Sequence, residues 1–208
     1  MRRVTLVTTG GTIEKTYDED SGELTNRRSL VRRMLEELRL EDTEVAVLEL
    51  MSKDSLDMTE EDRERVVQAV RLAGAAGAGQ PGETESGETE SEETKCAGIV
   101  VLHGTDTLAA TGELLRREIP SPRLPVVLTG AWRPFEMKRS DALQNLTEAI
   151  FATGVLPPGI YCVAHGRVLP FPGVVKDRPR GTFSREASAT DRAASAKGGA
   201  GAAVGARS

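Results

Sequence analysis

Residues 99–108 read IVVLHGTDTL, and residues 4–13 read VTLVTTGGTI. Each opens as a β-branched, aliphatic run of strand length and breaks into a turn of Gly, Thr and, in the first case, Asp. Beyond the turn at 104–107, Leu108, Thr111, Leu115 and Ile119 recur on one helical face. A strand with almost no polar residue must be covered on both sides, the condition of an interior strand in a parallel sheet.

The same alternation extends in both directions. Leu30, Val31, Met34, Leu35 and Leu38 fall at helical spacing, and residues 45–50 (VAVLEL) form a second strand candidate. Thr59 followed by Glu60, Glu61 and Asp62 has the form of a capping box that opens a helix through Val66, Val67 and Val70. Residues 126–128 and 160–164 are further strands, residues 167–171 form a hairpin candidate with the latter, and Ser140-Asp141 caps a helix carrying Leu143, Leu146 and Ile150. The expected fold is α/β, a doubly wound, mostly parallel sheet flanked by helices. Ligands of such sheets sit outside the carboxyl ends of the strands, so the residues just after each strand are the ones to inspect.

Two stretches of the 208 residues do not suit a core. Residues 73–95 contain no Val, Ile, Leu, Met, Phe, Trp or Tyr and carry six Glu against one Lys; residues 184–208 contain only Val204 from that apolar set. Neither can bury enough apolar surface to offset its ordering entropy. The chain therefore reads as one domain over residues 1–183, with an acidic low-complexity insertion at 73–95, and a disordered tail at 184–208.

The remaining 160 residues carry a net charge of −2, and aromatic residues make up 3% of the chain, which disfavours nucleic acid as a partner. No apolar run approaches the length of a membrane span or of a signal peptide's core, so neither a membrane nor export is expected. Cys96 and Cys162 are too few for a disulfide framework and read as buried thiols of a reducing compartment, consistent with a cytoplasmic protein.

Three turns stand out after the strands: Thr9-Gly10-Gly11-Thr12, Lys53-Asp54-Ser55 and His103-Gly104-Thr105-Asp106. Paired glycines let the backbone turn sharply and present N–H groups, while the neighbouring hydroxyls and carboxylates point toward a shared crevice. Neither Gly-x-Gly-x-x-Gly spacing nor a Gly-Lys-Ser/Thr loop is present, which argues against a dinucleotide or Walker-type phosphate site. His103 has no second His or Cys at ligand spacing, so it reads as structural and no metal is expected. By residue chemistry alone, Thr12 also suits a turn hydroxyl, Tyr17 an exposed loop, Thr105 and Asp106 a capped helix start, and Lys176 a solvated surface charge.

Taken together, residues 7–13, 102–108, 129–134 (TGAWRP), 139–145 (RSDALQN) and Val175-Lys176 resemble the bacterial-type L-asparaginase family. The resemblance implies an amidohydrolase that converts L-asparagine to L-aspartate and ammonia, with minor glutaminase activity and without a cofactor. It implies Thr12 as nucleophile and Tyr17 as the residue that positions and helps activate it. Thr105 becomes the second hydroxyl, with Asp106 beside it and Lys176 behind. Asp106 would also take the substrate α-ammonium and Ser55 its α-carboxylate, with Gly11, Asp54 and Gly104 completing the binding site. Longer members carry a second domain, so the chain resembles the short single-domain form, expected to assemble as a homo-oligomer, a dimer or tetramer. The alternative function is a non-catalytic amino-acid-binding or interaction domain on the same fold.

Overall fold

The computed structural model describes residues 1–76 and 96–186. In chain order the strands of the main sheet are β1 (Arg2–Gly10), β4 (Thr43–Lys53), β5 (Cys96–Leu102), β6 (Pro125–Thr129), β7 (Gly159–Ala164) and β8 (Arg167–Pro170). The spatial order is β4-β1-β5-β6-β7-β8, and every pair is parallel except β7 with β8. Two small antiparallel ribbons complete the strands: β2 (Thr16–Asp18) with β3 (Glu23–Thr25), and β9 (Val174–Asp177) with β10 (Thr182–Arg185).

Both faces of the interior strands are buried, as their apolar sequences require, whereas the edge strand β4 is only partly covered. Ile99 and Val101 of β5 and Val126 and Leu128 of β6 pack with α2 (Glu60–Val70) and α3 (Leu108–Glu118). Val100, Leu102 and Val127 alternate to the opposite face, against α1 (Val31–Glu36) and α4 (Ala142–Ala152). All seven of these strand side chains are fully buried, and each fully buried residue of this size stabilises the fold by roughly 1.5–3 kcal/mol. The strand order reverses at β1: the chain first adds β4 on one side, then crosses through α2 to place β5 on the other. A crevice therefore opens between the carboxyl ends of β1 and β5.

Several local expectations shift. Helix α1 is only six residues long, and Leu38 lies beyond it. The capping box at Thr59 is present, with the Thr59 hydroxyl accepting from Asp62 N–H. Asp141 is the N-cap residue of α4 by position, yet its carboxylate makes no cap bond; Ser140 Oγ accepts from Ala142 N–H instead. Cys162 is buried, and burial pushes its thiol far up, whereas Cys96 is only half-buried. The helical chain runs past Val70 in a wide turn over Arg71–Ala75 with Ala75 fully buried, and β10 carries the fold to Arg185. Structure thus continues three residues into the stretch read from composition as an insertion and past the position read as the start of the tail. The rest of both, residues 77–95 and 187–208, lies outside the described residues.

Cys96, the first described residue after the acidic stretch, pairs with Arg3 at the amino end of β1, the end of the sheet opposite the site. Deleting residues 78–94, which spares Ala75, is expected to move the melting temperature by less than about 2 °C, since closure entropy varies slowly with loop length. Thermal unfolding of the deletion variant checks this; a drop of about 5 °C or more would show that the stretch packs on the domain.

Candidate active site

The Gly10-Gly11 turn carries β1 out of the sheet with both residues at positive φ, 92° and 82°. Gly11 N–H donates to Lys53 O at 2.8 Å, which joins the turn after β1 to that after β4. A Cβ on Gly11 would come 2.5 Å from Gly104 N, and one on Gly104 would come 2.5 Å from Ser55 Oγ. No other residue fits at either position without moving its neighbours. Three turns from three separate strands are thereby stacked in the order Gly11, Gly104, Ser55. Thr107 Oγ1 donates to Ser55 O at 2.8 Å and fixes the last pair.

Beside this stack sit a hydroxyl, a carboxylate and two cations. Lys176 Nζ, on β9, donates to Thr105 Oγ1 at 2.7 Å and to Asp106 Oδ1 at 3.0 Å. Arg178 Nη2 reaches the same Oδ1 at 2.6 Å, leaving Asp106 Oδ2 without a protein partner among the described residues. Burial pushes the Asp106 carboxyl up, but Lys176 and Arg178 outweigh it and hold the group below the usual carboxylate range. Asp54 accepts from Lys15 Nζ at 2.6 Å and from Leu56 N–H at 3.0 Å; chiefly through Lys15, it too is held low. The N–H groups of Thr105 and Asp106 donate to no acceptor among the described residues.

Thr12 opens a single 3-10 turn, Thr12–Glu14, directly after Gly11. The next side chain but one explains how the turn is held. Glu14 is 1% exposed, and its carboxylate accepts from Thr8 Oγ1 on β1, from Ser29 Oγ and from Leu30 N–H at the start of α1. It therefore ties together the two ends of the loop that carries the β2–β3 hairpin. Tyr17 lies on that hairpin, 62% exposed, and no hydrogen bond joins it to Thr12 or Thr105 among the described residues. Beside Gly10, the side-chain amide of Asn26 is buried without a hydrogen-bond partner.

The structure thus brings Gly11, Asp54, Ser55, Gly104, Thr105, Asp106 and Lys176 to one end of the sheet, with Thr12 on the adjoining turn; Tyr17 stands apart from the hydroxyl cluster. Glu14, Arg178 and Trp132 also belong to this neighbourhood, and sequence reasoning named none of them as site residues. Trp132 did leave a signal, as part of the 129–134 segment that carries the family resemblance.

His103 is fully buried beneath the crevice, its Nδ1 on Gly104 O and its Nε2 facing Thr111 Oγ1, both at 2.8 Å. The carbonyl takes the Nδ1 proton and the hydroxyl donates to Nε2, so the ring is a neutral spacer. Burial lowers its pKa to about 4. The unfolded chain binds this proton more readily, so stability present above about pH 6.5 is lost as the pH falls toward 4, by about 3 kcal/mol. Melting temperatures between about pH 7 and pH 4.5 are expected to fall more steeply for the wild type than for His103→Gln; parallel curves would contradict this.

The family model for the N-terminal domain of asparaginase matches residues 3–78 and 87–189. The chain belongs to the asparaginase family. An L-asparaginase of Thermococcus kodakarensis is 43% identical over 72 residues, 35% of this chain and 22% of that protein. A subunit of the glutamyl-tRNA(Gln) amidotransferase of Saccharolobus solfataricus is 28% identical over 159 residues, 75% of this chain and 31% of that one. Among solved structures, the thermostable L-asparaginase from Thermococcus kodakarensis superposes with a TM-score of 0.73 at 26% identity, covering 89% of this chain and 51% of that one. L-asparaginase I from Vibrio cholerae shares the fold, with a TM-score of 0.69 at 22% identity and similar coverage, 88% and 51%. The chain spans about half the length of these solved relatives and less of the curated ones. Among the described residues no helix is long and apolar enough to cross a membrane.

Proposed function

We propose that this asparaginase-family chain hydrolyses the side-chain amide of L-asparagine to L-aspartate and ammonia, with weaker action on L-glutamine. The observation that carries the reading is the position of Lys176 Nζ, 2.7 Å from Thr105 Oγ1 and 3.0 Å from Asp106 Oδ1, beside the stacked Gly11 and Gly104 turns. A Thr hydroxyl is a weak nucleophile until a neighbour takes its proton, and a Lys held on a Thr and an Asp is suited to relay that proton.

In this mechanism Thr12 Oγ1 attacks the amide carbon and gives up its proton, which passes by way of Tyr17 to the leaving amide nitrogen once the hairpin closes over the substrate. The oxyanion is met by unclaimed backbone N–H groups of the 104–106 turn; one such donor is typically worth about 100-fold or more in rate. The C–N bond breaks as the amide nitrogen takes a proton and leaves as ammonia. Water then attacks the Thr12 ester, its proton being relayed through the Thr105–Lys176 pair to Thr12 Oγ1, so that the hydroxyl is restored as aspartate is released. Asp106 Oδ2 takes the α-ammonium and Ser55 the α-carboxylate, while Asp54 holds Lys15 at the rim. The protein acts in the cytoplasm as a dimer or tetramer and needs no metal or cofactor.

Steady-state ammonia release from L-asparagine, L-glutamine and D-asparagine tests the reading, with L-asparagine expected to be the fastest. Absence of release from all three would overturn it. Saturable binding of L-asparagine without release would establish the amino-acid-binding alternative. Light scattering at micromolar concentration tests the assembly, which a strictly monomeric active species would refute.

A further inference from the structure

The chain has a single tryptophan, Trp132, in the turn after β6. Lys176 Nζ lies over its indole, 5.2 Å from the ring centroid and within the range of a cation–π contact. The ring is itself held on two sides: Phe183 of β10 meets it edge-on at 5.0 Å, and His165 lies tilted against it at 5.3 Å. Its backbone is held as well, since Trp132 N–H donates to both oxygens of Asp141, at 3.1 and 3.0 Å. The Asp141 carboxylate also accepts from His165 Nε2 at 2.9 Å, so one half-buried group fixes both the indole's attachment and the ring beside it.

Lys176 needs such a wall. A four-carbon stem ending in a point charge has many rotamers, and two acceptors leave its third N–H direction open. The indole offers a surface beside the ammonium that attracts a cation without accepting a directed hydrogen bond. We infer that Trp132 is a positioning residue, which holds Lys176 Nζ on Thr105 and Asp106 and acts on the reaction only through that lysine. The inference deepens the amide-hydrolysis reading and, for its kinetic part, rests on it.

Trace acylation of amines with acetic anhydride, read at Lys176 by peptide mass spectrometry, measures the contact whether or not the protein is active. Exposed Lys138 serves as the internal reference. Releasing Nζ from the indole in Trp132→Met is expected to speed labelling of Lys176 about tenfold, and Trp132→Phe, which keeps a ring of weaker attraction, about threefold. On asparagine, kcat should fall in the same order while KM changes less than about twofold, the pattern of a lost transition-state interaction. A labelling rate that is the same in wild type and Trp132→Phe would overturn the inference, and so would a lowered kcat without faster labelling. If Trp132→Met does not fold, the Phe variant alone decides. A wild type that releases no ammonia would refute the hydrolase reading, while the order of labelling rates would still decide whether Trp132 holds the lysine.

Discussion

Thr12→Ala and Thr105→Ala are each expected to lower kcat for L-asparagine by roughly a thousandfold or more, because each removes a hydroxyl whose proton must move in the proposed reaction. The two sites differ in what else they lose. Thr12 is half-buried on the 3-10 turn and its hydroxyl makes no hydrogen bond within the described residues, so its alanine variant should melt like the wild type. Thr105 is 3% exposed and accepts from Lys176, so its loss costs about 1 kcal/mol and lowers the melting temperature by about 2–4 °C. Thr105→Ser keeps the acceptor and should recover most of both. Near-native turnover in either alanine variant would remove that residue from the mechanism.

Asp141→Ala is expected to lower stability substantially. The carboxylate accepts from the N–H groups of Trp132 and Arg133, from Asn145 Nδ2 and from His165 Nε2, and it links the turn after β6 to α4 and to the end of β7. Losing this hydrogen-bonded carboxylate leaves its N–H donors to find new partners and costs about 2–3 kcal/mol, or roughly 5–10 °C in a domain of this size. Burial pushes the Asp141 carboxyl up, but the N–H donors of Trp132 and Arg133 and the ring of His165 outweigh it and hold the group below the usual carboxylate range. Its contribution is therefore present above the ordinary carboxylate pKa and is lost as the pH falls through the lower folded value. Thermal melts of Asp141→Ala and Asp141→Asn near neutral pH measure the effect, with the amide variant intermediate. A change below about 2 °C would show that water replaces the carboxylate at no cost.

The course of the chain through the sheet was legible because its cause is local. Apolar runs at 99–102, 126–128 and 160–164 can only be interior strands, Thr59 and Asp62 sit at the spacing of a reciprocal cap, and Gly-rich turns after strands face the carboxyl end of the sheet. The ribbons β2–β3 and β9–β10 were not legible: three or four residues such as TYD or ELT carry too few apolar positions to show a period, and their pairing is decided by what lies beneath them. Composition likewise placed Ala75 in the insertion, although its methyl group closes the end of the α2 face.

For the site, the sequence by itself determined which residues stand at strand ends and therefore near one another: Gly11, Thr12, Ser55, Gly104, Thr105 and Asp106. Only the tertiary structure decided what those residues touch. Lys176 reaches Thr105 across 71 positions because β9 folds back over the crevice, and Asp141 abandons the helix cap because two N–H groups of the 129–134 turn lie closer to hand than its own helix. Arg178 shares Asp106, and Trp132 walls Lys176, for the same reason. Strand order and the direction of a side chain out of a turn are set by packing between segments far apart in sequence, and no local period records them.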